Sequence, residues 1–354
     1  MISSNFNSFS VGSKNFIYEF IFNFKTLLTY IFFGTISVAV ELSLRKLIIQ
    51  YGYNENFSSY LSLPFGIILA FYLNTKYNFK IKKKKLFISF ILFTSISLIS
   101  FFTQKMISQI YLGNLDYELK RLIVSGTCFI FFYFAHVKFS FKDKVKIGVA
   151  VYANGIEDIN KIFQKINKYP DFIHVDLVDT TFNKNSLEIN PNQIKLAKQV
   201  WKNKQIHMHI MSKYPSKWID TYIHEVDKIF FHYEIFEDIE KLLKRYKKYE
   251  NKVGMAVSCN TKFEKYKDLI IKFKNVLLLA IDVPGQSGQK FNSNAIETIK
   301  KINNHIGMND TTLCVDGGIN NSTIKLIDSD EIISGSYVLK NKDPIAAMLL
   351  LKFT

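Results

Sequence analysis

Four apolar stretches before residue 145 constrain this chain more than anything else in it. They run at about 26–48, 57–75, 86–110 and 119–138, each near the ~20 residues that a helix needs to cross the hydrocarbon of a bilayer. Four such runs in succession do not fit one aqueous core, so they predict an all-helical membrane domain. Composition agrees: mean hydropathy is +0.06, with 33 Phe and 19 Tyr, beside a net charge of +16. Apolar excess joined to basic excess is the pattern of a membrane protein with basic loops, and no nucleic-acid partner is expected. The cysteines Cys128, Cys259 and Cys314 sit in apolar runs without paired spacing, which speaks for core thiols and against a disulfide framework or a zinc ribbon. The first apolar run follows a polar tail, 1–23, and no small-residue cleavage site comes after it, so these segments are expected to stay in the mature protein.

Orientation follows from the lysines. KYNFKIKKKK (76–85) lies between the second and third spans and KFSFKDKVK (138–146) follows the fourth, whereas the loop after the first span, YGYNENF, has no Lys or Arg. The positive-inside rule then puts both termini, and whatever follows the fourth span, in the cytoplasm, with a bacterial inner membrane as the expected location. Within the first span, Glu41 and Arg45 stand one helical turn apart. Intramembrane charges are functional candidates, and the competing expectation is a pair that neutralises itself while Arg45 snorkels outward.

The segment also contains an internal echo. FYLNTKYNFK (71–80) returns as YFAHVKFSFK (133–142), with Asn74 or His136 in the fourth place, Lys76 or Lys138 in the sixth and Phe-Lys at the end. Two helix hairpins in one orientation would produce it. With these endings the segment resembles the GtrA-like family of small four-helix membrane proteins. That resemblance implies a part in moving polyprenyl-phosphate-linked sugars during cell-surface glycan synthesis, with a membrane lipid as partner. For Asn74, Lys76, His136 and Lys138 two readings stand: interfacial anchors, or contacts to a lipid phosphate.

From Lys146 onward the pattern changes. Short apolar strands (KIGVAVY, FIHVDLVD, QIHMHIM, KIFFHYE, KVGMAVS, VLLLAID, TLCVDGG, EIISGSYV) alternate with amphipathic, Lys-rich helical stretches. Eight such units predict a (β/α)₈ TIM barrel; a doubly wound open sheet would need a glycine-rich turn after its first strand, which is missing. The expected organisation is multi-domain: a tail at 1–23, a four-helix transmembrane domain at 24–145 and a barrel at 146–354.

Barrels place their chemistry at the C-terminal ends of the strands. His174, Asp176 and Asp179 on the second strand, His209 on the third, His232 and Glu234 on the fourth and Asp316 on the seventh are the polar residues found there. Imidazoles and carboxylates on neighbouring strands can surround one divalent cation such as Zn²⁺, Mn²⁺ or Fe²⁺. The glycine-rich turns at Ser287-Gly288, Gly317-Gly318 and Gly335-Ser336 end strands six, seven and eight, where barrels commonly hold phosphate.

In that order the motifs HVD (174–176), HIM (209–211), FHYE (231–234), PGQSGQKF (284–291), VDGGI (315–319) and SGS (334–336) resemble those of ribulose-phosphate 3-epimerase. The resemblance implies an isomerase acting on a phosphorylated ketose. His174, Asp176, His209 and Asp316 would ligate one metal ion, and Asp176 and Asp316 would carry protons to and from opposite faces of the carbon beside the ketone. The metal would also stabilise the ene-diolate between the two transfers. Met211, Ser287, Gly288, Gly317, Gly318, Gly335 and Ser336 would bind the sugar and its phosphate. His207 is expected one layer below His209, and Asp179 has two readings: a match to a family aspartate, or a loop cap. Three departures bear on specificity: Ala150 stands where a serine is expected, Val178 and Ala280 replace two methionines near the reacting carbon, and Gln286-Ser287 replaces Phe-Gly. The alternative is a transporter whose barrel binds a sugar phosphate without turnover, and a homo-oligomer is compatible with either.

Overall fold

The computed structural model describes residues 3–79, 81, 85–111, 115–141, 145–153, 158–307 and 310–353. The chain separates into two compact units, Met1–Lys144 and Val145–Thr354. Lys80 and residues 82–84 and 142–144, which belong to the two basic loops, lie outside the described residues.

The first unit contains four helices, α1 (Ser3–Gln50), α2 (Glu55–Leu73), α3 (Leu86–Tyr111) and α4 (Tyr117–Ala135). The stretches Phe24–Gln50, Glu55–Asn78, Leu86–Ile110 and Tyr117–Ser140 are each long and apolar enough to cross a bilayer. Helix α1 begins well upstream of the apolar run read from sequence. Helix α2 starts where the Asn54 side chain accepts the Phe57 N–H at 2.9 Å, satisfying one of the free donors of a helix start. Large apolar side chains such as Phe32, Ile68, Ile99 and Phe131 point outward and are exposed, as a lipid-facing surface requires, while Phe93, Phe101 and Phe141 fill the interior.

The echo has a structural counterpart. Both α2 and α4 run into a π-helical turn, Asn74–Asn78 and His136–Ser140, in which the N–H of Phe79 reaches the carbonyl of Asn74 (2.8 Å) and that of Phe141 the carbonyl of His136 (2.9 Å). Such widened turns recur at functional places in helices. The rings of Phe79 and Phe141 then stack on each other, with centroids 4.2 Å apart and planes 11° from parallel. The two copies therefore meet in the interior, at the ends of α2 and α4.

The second unit is a closed barrel of eight parallel strands, β1 (Lys146–Tyr152), β2 (Phe172–Val178), β3 (Gln205–Met211), β4 (Lys228–His232), β5 (Val253–Ser258), β6 (Asn275–Leu279), β7 (Thr312–Asp316) and β8 (Glu331–Ile333), each hydrogen-bonded to the next and β8 to β1. Strand β2 is buried along its whole length because both of its faces are covered. Ile173, Val175 and Leu177 pack outward against the helices, and the alternation of a strand turns Phe172, His174 and Asp176 inward. Each fully buried Ile, Leu or Val contributes about 1.5–3 kcal/mol, so the outer layer holds the cylinder closed around these polar residues. The helices show the complementary pattern: Ile159–Ile166 buries Ile159, Ile162 and Ile166 on one stripe and is capped by Asp158, whose side chain accepts the Lys161 N–H. Gly148 on β1 leaves the room that Phe172 fills; a Cβ there would lie 2.3 Å from the Phe172 ring.

Candidate active site

Strand register assembles the site. Asp176 on β2 lies level with His209 on β3, and with Tyr152 on β1; Asp316 on β7 lies level with Leu279 on β6 and Ile333 on β8. His174, Asp176, His209 and Asp316 are all buried, and each offers a donor atom within 4.8 Å of the others'. His209 Nδ1 is 3.1 Å from Asp176 Oδ1, and His174 Nε2 is 3.4 Å from the same oxygen. These four are the residues that the sequence singled out as a ligand set.

Their electrostatics are those of charges crowded in a dry place. Burial would raise the carboxyl of Asp176, but the His174 and His209 imidazoles beside it hold it well below the usual carboxylate range. Burial and the neighbouring charge of Asp176 push Asp316 up to about 7. Burial would lower His174, yet Asp176, Asp316 and Glu331 draw it upward. His209 is pulled down to about 4, burial outweighing its carboxylate partner.

Among the described residues neither ring nitrogen of His174 has a partner in hydrogen-bond geometry although both are buried, Nε2 having only the Asp176 oxygen at 3.4 Å beside it, a costly state unless something else engages them. Two imidazoles and two carboxylates form the mixed nitrogen and oxygen donor set that Zn²⁺, Mn²⁺ or Fe²⁺ accepts. The residues present therefore fit a divalent ion.

Beside this cluster opens a cavity of about 110 Å³ whose wall includes Asp176, Asp316 and Met211. Ser287, Gly288, Gly317, Gly318, Gly335 and Ser336, the residues of the three glycine-rich turns, line it as well. The turns have this shape for a backbone reason. Gly317 and Gly318 take φ of +107° and +67°, the left-handed region that glycine enters at little cost, and a Cβ on Gly318 would lie 2.3 Å from the Phe291 nitrogen. Gln289 ties the preceding loop, its side chain bonding the N–H and carbonyl of Val283 and the carbonyl of Gln286.

Two polar residues of this wall escaped the sequence reading. Lys340 borders the cavity, and its Nζ lies 3.7 Å from where a Cβ on Gly288 would stand. Nothing in the sequence separates it from the many surface lysines except its place four residues after Ser336. Tyr152, at the end of β1, is the other. A third difference concerns Ala280, expected near the reacting carbon. It packs outward among the helices, while Leu279 and Ile281 line the cavity, because alternation along β6 sends neighbours to opposite faces.

Other polar residues have definite places. Asp179 closes the loop after β2, accepting from the N–H and hydroxyl of Thr181 and, at 3.0 Å, from Trp218 Nε1. His207 is buried one layer down, stacked on Phe172 at 4.1 Å. His232 and Glu234 stand behind His209: His209 Nε2 is 2.9 Å from His232 Nε2, and His232 Nδ1 is 2.9 Å from Glu234 Oε2. Burial would raise Glu234, but His232, the Thr261 hydroxyl and the Ser258 N–H bring it down to about 2.

In the membrane unit the expected Glu41–Arg45 pair does not form. Arg45 is buried and bonds Glu55 (2.9 Å), Glu118 (3.0 Å) and Ser59 (3.0 Å), while Glu41 faces Arg121 of α4 at 3.3 Å. One helical turn brings the two side chains to one face, but the guanidinium is satisfied better by two carboxylates at the starts of α2 and α4. Glu41, Arg121, Gln104, Ser37, Ser100 and His136 border a cavity of about 390 Å³ inside this unit. Asn74 and His136 are buried, whereas Lys76 and Lys138 are exposed.

Comparison with known proteins gives two matches to family models. Residues 146–339 match the ribulose-phosphate 3 epimerase family, and residues 29–141 match the GtrA/DPMS transmembrane domain. Among curated relatives, the ribulose-phosphate 3-epimerase of Chlamydia pneumoniae is 32% identical over 48% of this chain and 76% of its own. That of Buchnera aphidicola is 30% identical over 51% and 82%, and that of Escherichia coli 26% over 49% and 79%.

Proposed function

The chain belongs to the ribulose-phosphate 3 epimerase family, and on that premise we propose that its barrel is a metal-dependent epimerase of a ketose phosphate, carried on a GtrA-like membrane domain. The observation that carries the proposal is the convergence of His174, Asp176, His209 and Asp316 within 4.8 Å of one another beside a glycine-walled cavity. Epimerisation removes the proton from a carbon next to a carbonyl and returns one to the other face, so it needs two acid/base groups that reach the same carbon from different directions. Asp176 and Asp316 come from β2 and β7, with β8 and β1 between them, and both reach the cavity. A divalent ion held by His174, Asp176, His209 and Asp316 would supply positive charge beside the oxygen that becomes negative when the proton leaves.

The chain's own groups do the rest. The turns at Ser287-Gly288, Gly317-Gly318 and Gly335-Ser336 offer backbone N–H groups without intervening side chains, and Lys340 adds a positive charge; together they suit a phosphate at one end of the cavity. Met211, Leu279 and Ile281 give the other end an apolar wall that keeps water from the carbanion. Ala150 supports altered sugar specificity, since it borders the cavity at the position where its relatives' motif carries a hydroxyl.

For the membrane unit, the cavity bordered by Glu41, Arg121, Gln104 and serines supports handling of an amphiphile with a polar head, such as a polyprenyl-phosphate-linked sugar. The lysine asymmetry of its loops supports a barrel on the cytoplasmic side, and the expected membrane is a bacterial inner membrane.

The test uses the full-length protein in detergent. With Mn²⁺ or Zn²⁺, ribulose 5-phosphate in D₂O should gain deuterium at C3 and equilibrate with its epimer, and EDTA should stop both. Absence of exchange across a panel of ketose phosphates would refute the enzymatic reading and leave a barrel that only binds.

A further inference from the structure

Behind His209 runs a line of contacts that the proposed reaction leaves unused. It begins at Asp176 Oδ1, 3.1 Å from His209 Nδ1, passes through His209 Nε2 to His232 Nε2 (2.9 Å) and goes on from His232 Nδ1 to Glu234 Oε2 (2.9 Å). Glu234 Oε1 accepts the Ser258 N–H at 3.1 Å and the Thr261 hydroxyl. Both imidazoles are buried, and their rings lie edge to edge, 22° from parallel, with centroids 4.9 Å apart.

Counting protons along this line gives its direction. A neutral imidazole carries one N–H and one bare nitrogen. With both rings neutral they supply two protons, whereas the line has three contacts to fill: one at each carboxylate and one between the rings. Glu234 accepts the Ser258 N–H and the Thr261 hydroxyl on Oε1 as a carboxylate, so its Oε2 accepts as well and the proton of His232 belongs on Nδ1. His232 Nε2 is then bare and must accept, which places the proton of His209 on Nε2. What is left is His209 Nδ1 with its lone pair facing a carboxylate oxygen and no proton between them. Two electron-rich atoms in that position are mutually repulsive unless a cation joins them.

Resting on the metal reading above, we infer that Glu234, acting through His232, is a positioning residue: it fixes the tautomer of His209 and so reserves Nδ1 for the divalent ion. The line transmits a proton arrangement across two rings, and the ion occupies the one contact that lacks a proton.

An amide in place of Glu234 discriminates sharply. In Glu234→Gln the carbonyl oxygen must stay where the Ser258 N–H donates, so the NH₂ group faces His232 Nδ1. That nitrogen must now accept, His232 Nε2 donates, His209 Nε2 accepts and the His209 proton moves to Nδ1, closing the metal position. Glu234→Ala removes the carboxylate without imposing the reverse order. Zn²⁺ affinity of the full-length protein, measured by competition with a chelator, should fall about 100-fold for Glu234→Gln and about 10-fold for Glu234→Ala, the range known for partners of metal-binding histidines. The near-isosteric amide should thus do more harm than truncation. In the Zn²⁺-loaded wild type with ¹⁵N-labelled histidine, NMR should find the His209 proton on Nε2, coupled across the N–H···N bond to His232. Equal Zn²⁺ affinity in Glu234→Gln and wild type, a smaller loss for Gln than for Ala, or a His209 proton on Nδ1 would overturn the inference while the metal reading stood. A wild type that takes up no Zn²⁺ and no Mn²⁺ would instead overturn the metal reading and the inference with it. The NMR measurement needs no variant, so it decides even if Glu234→Gln fails to fold.

Discussion

Replacing Asp316 by Asn tests whether two carboxylates work on opposite faces of one carbon. The substitution keeps the side-chain volume and one oxygen, and it leaves the backbone carbonyl that accepts the Ala280 N–H at 2.6 Å. Folding should therefore survive. With donor oxygens of Asp176 and Asp316 up to 4.8 Å apart, two full negative charges would repel by on the order of 3 kcal/mol at an effective dielectric constant of 20; relieving that repulsion should leave the unfolding temperature of the metal-free protein unchanged or raised. The chemistry should suffer instead. Loss of one proton carrier is expected to cost about 10²- to 10⁴-fold in epimerisation, or roughly 3–5 kcal/mol at 1.36 kcal/mol per decade. The remaining carboxylate can still take a proton from one epimer and return solvent deuterium to the same face. In D₂O with Mn²⁺ in excess, NMR should therefore show exchange at C3 of one epimer without inversion, and none from the other. Equal loss of exchange from both epimers, or epimerisation at the wild-type rate, would refute the assignment of the two carboxylates to two faces.

Four further substitutions probe other parts. Lys340→Ala should raise KM for the ketose phosphate about 10- to 100-fold, the worth of a charge-assisted hydrogen bond of ~1.5–3 kcal/mol, with kcat changed no more than a few-fold; steady-state kinetics separate the two effects. Ala150→Ser adds a hydroxyl to the cavity wall and should raise kcat/KM for ribulose 5-phosphate about 2- to 10-fold, as one added hydrogen bond would; a fall for every ketose phosphate would mean that the alanine shapes the wall for another reason. In the membrane unit, Glu41→Gln or Arg121→Gln alone should destabilise by about 3–5 kcal/mol through the buried charge left behind, and the double variant should recover much of the loss. Thermal unfolding in detergent measures this, and additive losses would mean that the pair is not coupled.

Much of the architecture was legible because it is written in periodicity. Runs of about twenty apolar residues locate the membrane helices, and the strand alternation of FIHVDLV announces that His174 and Asp176 share the inner face. The motif order also placed His174, Asp176, His209 and Asp316 on strands whose ends the structure brings together. Pairings made across helices were not legible. Glu41 and Arg45 are neighbours in sequence, but their partners, Arg121 and Glu118, come from a helix some seventy residues later, and only packing selects among the charges within reach. The stacking of Phe79 on Phe141 was present in the echo only as a repeated letter. Ala280 shows the limit of motif alignment: one residue of register decides which face a side chain takes. Lys340 looked like any solvated lysine until the Gly335 turn brought it beside Gly288.

The barrel buries ionisable groups at two levels, and the contrast between them bears on function. In the lower layer, Lys228 Nζ bonds both carboxylate oxygens of Glu331 at 2.8 Å, one positive charge against one negative. His207 nearby is kept well below its ordinary pKa by burial and by the Lys228 ammonium, so it stays neutral and the level balances within the protein. The upper level has no such ammonium. Asp176 and Asp316 bring two carboxyl groups, and among the described residues that approach them the cationic candidates are imidazoles, of which His174 is drawn upward and His209 is held down to about 4. Burying unpaired charge costs several kcal/mol per ion even after relaxation, and a barrel that closes its lower layer with a lysine could close its upper layer the same way. Lysine there would give stability and no chemistry, because it would fill the position between the carboxylates permanently. Under the proposed metal reading, two carboxylates and two imidazoles would instead leave that position open to a 2+ ion and, at the cavity side, to a substrate oxygen. On that reading the upper level is the one at which stability is given up for function, and substituting a lysine for His174 should stabilise the barrel against heat while abolishing Zn²⁺ uptake. A His174→Lys variant that is no more stable than wild type, or that still takes up Zn²⁺, would show that the upper charges are already balanced in some other way.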